Sequence, residues 1–295
     1  MTTGVSPNSA VGIRKEESFA SGGGIDSWQV VESISIPRSN VHVYGDRVRN
    51  SPEQIGGRFS HELVSGSVTF PVSPANPTQW WQCGIGGTGP YTPQIPLSSM
   101  LIEEQQGSIG AAATSGDMIS RLELSSRQGD ILRCTASIEG AGRGGRVATT
   151  IPSGAFPSGD DPYIHSEATF TLDNVVNGAV TAFSVTKDNN LITDLVANGR
   201  RRRDIPATKA VVTGSISILF ENTSMRNRFM NAKPSAITAE YVRGGRSLKV
   251  EMVNLVYDSA DEPIDGQASY INETLTFTAF VEDPANQNSL KVTVV

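Results

Sequence analysis

"LVSGSVTFPVSPANPTQWWQCGIGG" fills residues 63–87, and "VVTGSISILFENTSMRNRFMNAKP" fills residues 211–234, almost half the chain later. With Gly66 laid on Gly214, the polar set Ser65, Ser67, Thr69 falls on Thr213, Ser215, Ser217. The apolar set Val64, Val68, Phe70 falls on Val212, Ile216, Ile218. Alternation with period two makes each stretch a strand with one face on a core and the other on solvent or a partner. A glycine in mid-strand marks a bulge or a close backbone approach. Each strand is followed by room for a short helix and then an aromatic, Trp81 or Phe229. Asn76-Pro77 reads as the N-cap and first residue of one helix, and Asn222 or Thr223 as the cap of the other. Matched faces, more than matched letters, point to duplication.

Composition narrows the classes. The chain of 295 residues can hold one large β domain or two ordinary ones. Apolar residues make up 38% and charged residues 18%, with 29 glycines and 16 prolines, as expected of short strands joined by turns. A net charge of −6 argues against a general nucleic-acid binder, which needs a basic surplus. Residues 1–24 carry no apolar signal region, no stretch reaches a membrane span, and Cys83 and Cys134 have no C-x-x-C spacing. The expectation is a soluble product of the cytoplasm with two reduced thiols.

Further strands are expected over 28–36, 41–49, 118–124 and 131–138 in the first half. In the second half they are expected over 180–186, 236–242, 248–257, 270–281 and 290–294. Arg127-Gln128-Gly129-Asp130 and Gly244-Gly245 punctuate them as turns. The division expected is an N-terminal arm (1–27), a first domain (28–141), a linker rich in Gly, Pro and Ser (142–165) and a second domain (166–295). Residues 84–116 read as a long insertion, disordered in the monomer and ordered by a neighbour.

Catalytic and metal motifs do not emerge. His42, His61 and His165 show no metal-ligand spacing, and there is no G-x-S-x-G or phosphate loop. Trp80-Trp81 could be a sugar-stacking platform, but an amphipathic helix with one buried aromatic is the plainer reading. Arg200, Arg201, Arg202 and Arg203 are a solvated turn, an ion-pairing element toward a neighbouring subunit or ring, or a nucleic-acid contact. Glu103 and Glu104 join them as candidate inter-subunit or inter-ring residues.

The stretch 180–230, with Asp188-Asn189-Asn190, Thr213-Gly214-Ser215 and Phe229, followed by Pro263-Ile264-Asp265-Gly266 and the strand 274–280, resembles the tail tube (major tail) proteins of long-tailed bacteriophages. The resemblance is clearest over 168–295 and weaker over 29–139, and none of its motifs is catalytic. It implies an all-β fold of two tandem tail-tube-type β-sandwich or barrel domains, each with one short α-helix and long loops. It also implies a virion structural protein, not an enzyme and without cofactors, stacked in rings as the channel for genome ejection. A two-domain chain would need three copies for a pseudo-sixfold ring, with six copies as the alternative. Expected partners are other copies of itself, the tape measure protein, the tail terminator and baseplate hub proteins, and DNA in transit, with no membrane. A β-sandwich carbohydrate-binding or adhesin-like virion module is the competing reading, and a β-rich hydrolase a third.

DNA must slide through such a channel without sticking, so its wall should be polar and negative on balance. The candidate lumen-facing set is Asn272, Thr274, Thr276 and Thr278 on the last long strand, with Ser65, Ser67, Thr69, Thr213, Ser215 and Ser217 on the repeated strands. No Lys or Arg lies between Lys249 and Lys291, whereas Glu251, Asp258, Asp261, Glu262, Asp265, Glu273, Glu282 and Asp283 do. From pattern alone, a solvated outer face explains this equally well.

Overall fold

Alternating, β-branched runs become strands nearly everywhere they occur. The computed structural model describes residues 9–44, 57–106, 110–145, 156, 161–196, 199–220, 224–261, 272–281 and 289–295. They form one large 17-stranded antiparallel sheet, with short helices on it. None of these helices is long and apolar enough to cross a membrane.

In the first half the elements are β1 (Ser9–Lys15), β2 (Ser27–Gln29), β3 (Ser33–Ser35), β4 (Arg38–Tyr44), β5 (Gly57–Pro71) and α1 (Gln79–Gly84). They continue with β6 (Met100–Gln106), β7 (Gly110–Arg127), β8 (Arg133–Gly140) and β9 (Gly142–Arg143). After a 3-10 turn at His165–Glu167 come β10 (Ala168–Leu172), β11 (Val175–Val176), β12 (Val180–Asp188), β13 (Val211–Leu219) and α2 (Ser224–Met230). β14 (Ser235–Arg243), β15 (Arg246–Asp261), β16 (Asn272–Ala279) and β17 (Lys291–Val294) complete the chain.

The long strands β7 and β15 each serve two neighbourhoods. The first part of β7 pairs with β6 and β9, and its second part with β8 and β12. The first part of β15 pairs with β14 and β17, and its second part with β16. A continuous path therefore runs β4–β5–β8–β7–β12–β13–β16–β15. The β7–β12 ladder is the seam between the halves. Gly129 and the pair Gly244-Gly245 adopt positive φ in the hairpins joining β7 to β8 and β14 to β15, where a side chain would be strained.

One core cluster lies behind this path, drawn from the buried parity of each strand. Phe70 stacks against Trp80 at 4.9 Å in the first half, while Phe170, Phe183, Tyr241 and His165 group in the second. Glycine matters most at the two repeated positions. A Cβ on Gly66 would meet the Ser35 carbonyl oxygen, and one on Gly214 would meet the Ser184 carbonyl oxygen. Close approach, not a bulge, explains both glycines.

Several expectations need correction. Residues 84–116 are not a long loop, because β6 and the start of β7 lie there as a paired hairpin with Met100, Ile102, Ala111 and Ala112 buried. The arm contains β1, whose Val11 and Ile13 are fully buried. The linker stretch holds β9 and Tyr163, which is 1% exposed and exchanges backbone hydrogen bonds with Val72 and Leu132. The strand expected over 28–36 is broken into β2 and β3, and 45–49, 270 and 271 lie outside the described residues. Asn76 does not cap α1, since its side chain accepts from the Ser73 amide and Thr78 holds the N-cap position. Trp80 and Trp81 are both buried, so the sugar-platform reading fails. The proposed caps Asn222 and Thr223 fall outside the described residues.

Candidate functional site: a polar sheet face

Residues opposite one another in an antiparallel ladder project to the same side of the sheet. Followed across the path, Ser33, Thr69, Thr135, Glu123, Thr186, Thr213 and Thr278 stand in one row. A neighbouring row runs Arg133, Ser125, Ser184, Ser215, Thr276, Ser259. Ser67 pairs with Ser137, Ser65 with Glu139, and Ser217 with Thr274. Asn272 ends the β16 row opposite Leu219. Every candidate lumen residue therefore lies on one face that crosses the seam, while Val64, Val68, Phe70, Val212, Ile216, Leu275 and Phe277 are buried behind it.

Hydroxyls bind hydroxyls across this face. Ser184 Oγ lies 2.8 Å from Ser215 Oγ, Ser217 Oγ 2.9 Å from Thr274 Oγ1, and Ser259 Oγ 2.6 Å from Thr276 Oγ1. Thr69 Oγ1 and Thr135 Oγ1 stand 3.2 Å apart, and Thr278 Oγ1 donates to Asp258 Oδ2 at 2.7 Å. Such groups are polar but uncharged, so these rows present hydrogen-bonding capacity without net charge.

The charges are mixed. Arg121 pairs with Glu123 at 3.2 Å, and Arg133 bridges Glu32 at 2.9 Å and Asp130 at 2.6 Å. Donation from Arg133 holds the Asp130 carboxyl below its ordinary value. Glu251 is clasped by Lys249 and Lys291, and Glu273 points to the buried side. Asp188, Asp258 and Asp261 add acid toward the second half. Among the described residues the face is thus hydroxyl-rich with largely paired charge, less acidic than the sequence count suggested. Glu262, Asp265, Glu282 and Asp283 lie outside them.

The arginine run works mainly within the chain. Arg202 is 7% exposed, and its Nη1 donates to Val64 O, Gly140 O and Glu139 Oε2, stitching the stretch after β12 onto β5 and β8. Arg201 pairs with Glu62 at 2.6 Å, and Arg200 lies 5.3 Å over the Phe59 ring. Arg203 is exposed. Glu104 is buried against Arg143, and Glu103 is half-buried on β6. Arg202 and Glu104 are thus committed inside the chain instead of being offered to a neighbour.

Sequence reasoning missed two buried polar centres. Lys187 Nζ donates to Gly84 O at 3.0 Å and to Asn189 Oδ1, while Asn189 Nδ2 donates to Gly84 O at 3.0 Å and Ile119 O at 2.8 Å. Burial pulls the Lys187 ammonium down to about 8. Glu16 accepts from the amides of Ala20, Gly22 and Gly116 and from Ser99 Oγ, tying β1 to the bend in β7. Beside it Asp117, fully buried and bound by Thr114, is pushed up to about 8 by burial. Only the lysine's place on the apolar parity of β12 signalled any of this in advance.

No cluster of metal-binding side chains occurs among the described residues. His165 is buried between Ser126 Oγ and Val180 O in a packing role. Compared with known sequences, the chain finds no match among curated proteins. The sequence pattern of the phage tail tube protein family, however, matches residues 6–279. That covers nearly the whole β-rich chain, and the chain belongs to this family: it is a structural protein of the phage tail, not an enzyme.

Proposed function

We propose that each chain supplies two adjacent staves of a tube ring, so that three chains make a ring of six. The supporting observation is that the pairings recur. In the first half the order is β1–β6–β7–β9 and β4–β5–β8–β7; in the second it is β10–β14–β15–β17 and β12–β13–β16–β15. α1 follows β5 as α2 follows β13. Even an irregularity repeats: the β7–β8 ladder slips between Ile119 and Arg121, and the β15–β16 ladder slips between Tyr257 and Ser259. Ile138 and Ser137 face the first slip, Phe277 and Thr276 the second, at matching distances from Gly66 and Gly214. A bulge with no sequence signature, recurring at one register, is hard to obtain except by duplication. The halves divide between β9 and β10, within the stretch read as linker.

The polar face is the lumen wall of this reading. Its hydroxyl rows line the passage for DNA, and the tape measure protein fills the channel beforehand. Terminator and baseplate hub proteins close the two ends. Imaging of tubes assembled from the purified chain tests the proposal. Hollow tubes with threefold rings and the β16 threonines inward support it; tubes with that face outward overturn the lumen assignment.

A further inference from the structure

The seam inside the chain has a counterpart that the chain cannot complete alone. At the seam, Lys187 and Asn189 reach from the end of β12 onto the other half, gripping the last residue of α1 and the Ile119 carbonyl. Beyond the β12 residues, the Asn189 amide extends the ladder to Ser120 O at 2.8 Å. Matched through Gly66 and Gly214, Ser35 corresponds to Ser184, Arg38 to Lys187 and Asn40 to Asn189. "RSN" thus stands where "KDN" stands. The local bond recurs as well: Arg38 Nε donates to Asn40 Oδ1 at 3.3 Å, as Lys187 does to Asn189 Oδ1. Yet Lys187 and Asn189 are each 1% exposed, whereas Arg38 and Asn40 are exposed on β4, Arg38 held by Glu62 at 2.9 Å, and among the described residues β4 pairs only with β5.

We propose that Arg38 and Asn40 are the intermolecular counterpart of the Lys187–Asn189 latch, docking on a second copy of this chain. The docking surface is the second part of β15, the counterpart of β7, which among the described residues pairs only with β16. Carrying the β12–β7 register across sets Asn40 opposite Asp258, Ser39 opposite Ser259 and Arg38 opposite Ala260. Asn40 then donates to the carbonyl of Tyr257, which takes the place of Ile119, and Arg38 reaches the carboxyl end of α2. The arrangement is electrostatically favourable, since Arg38 arrives between Asp258 and Asp261. It also accommodates Pro37. Proline replaces Thr186, whose amide alternates away from the β7 side, so its missing N–H costs the new ladder nothing. This pairing closes the edges that β4 and the end of β15 leave open among the described residues.

The inference rests on the two-stave reading, and one experiment separates the two. Ser39→Cys and Ser259→Cys introduce thiols at a position matching Asp188 and Arg121, a pair that does not exchange backbone bonds and whose side chains are therefore close. The native Cys83 and Cys134 are buried and their thiols pushed up by burial, so they stay silent. Mild oxidation of assembled tubes should give covalent species that stop at three chains. Ser39→Cys with Asp261→Cys, two residues out of register, should cross-link at roughly a tenth of that yield or less. A ladder ending at six chains keeps the latch and refutes the threefold ring. Normal tubes without Ser39–Ser259 cross-links overturn the latch and leave the ring intact. Independently, Asn40→Ala should leave monomer melting unchanged and weaken assembly about tenfold; unchanged assembly contradicts the proposal.

Discussion

Thr276 and Phe277 are sequence neighbours with opposite surroundings: the threonine is exposed and its hydroxyl meets Ser259, while the phenylalanine is fully buried. Phe277→Asp places an unpaired charge in the core and should cost more than about 4 kcal/mol, read as loss of the folded monomer by circular dichroism. Thr276→Lys should melt as the parent does and assemble, but on the two-stave proposal it adds an attractive charge to every second stave of the proposed wall. DNA ejection should then slow most at low salt, where screening is weakest. If Thr276→Lys fails to fold while Phe277→Asp is tolerated, the parity of β16 is reversed. Asp117 yields a second test. Its folded value of about 8 exceeds its unfolded one, so the native state holds a proton the unfolded chain releases. That contribution is complete below about pH 4 and is lost as pH rises to about 8. Asp117→Asn should flatten the decline in melting temperature between pH 5 and 8; Glu16 and Arg143 face the same site and remain in place. An unchanged slope would remove Asp117 as its source.

At the scale of elements, what sequence made legible was parity. The alternating runs in β5, β13 and β16 placed their polar faces together because period two leaves a strand few choices once one face is apolar. The hairpin of β6 and β7 was illegible for an equally physical reason. Its residues 107–116 are mostly glycine, alanine and serine, small enough to read as loop, yet Ala111 and Ala112 are buried against the rest of the fold. Small side chains carry no visible alternation. The Glu16 centre was hidden similarly, since it joins β1, Ser99 and Gly116 across long sequence distances. Removal of residues 88–113 is therefore expected to be destabilising. It deletes β6, strips β1 of its main partner and exposes Val11 and Ile13, so the monomer should unfold. A cooperative melt near that of the parent would show the hairpin to be dispensable.

At the scale of the whole molecule, the fold on the two-stave proposal is a seam with unfinished copies of itself at either end. β7 and β12 meet within the chain, and their counterparts, β15 and β4, are left at opposite ends of the path. A chain that carries one finished junction and two half-junctions closes most simply by repeating the finished one. Two staves per chain account together for the repeated glycines, the repeated bulge and the single polar face that crosses the seam. Native mass measurement of isolated rings tests this most directly. Three copies of the chain per ring is the predicted result, and six copies per ring would contradict it.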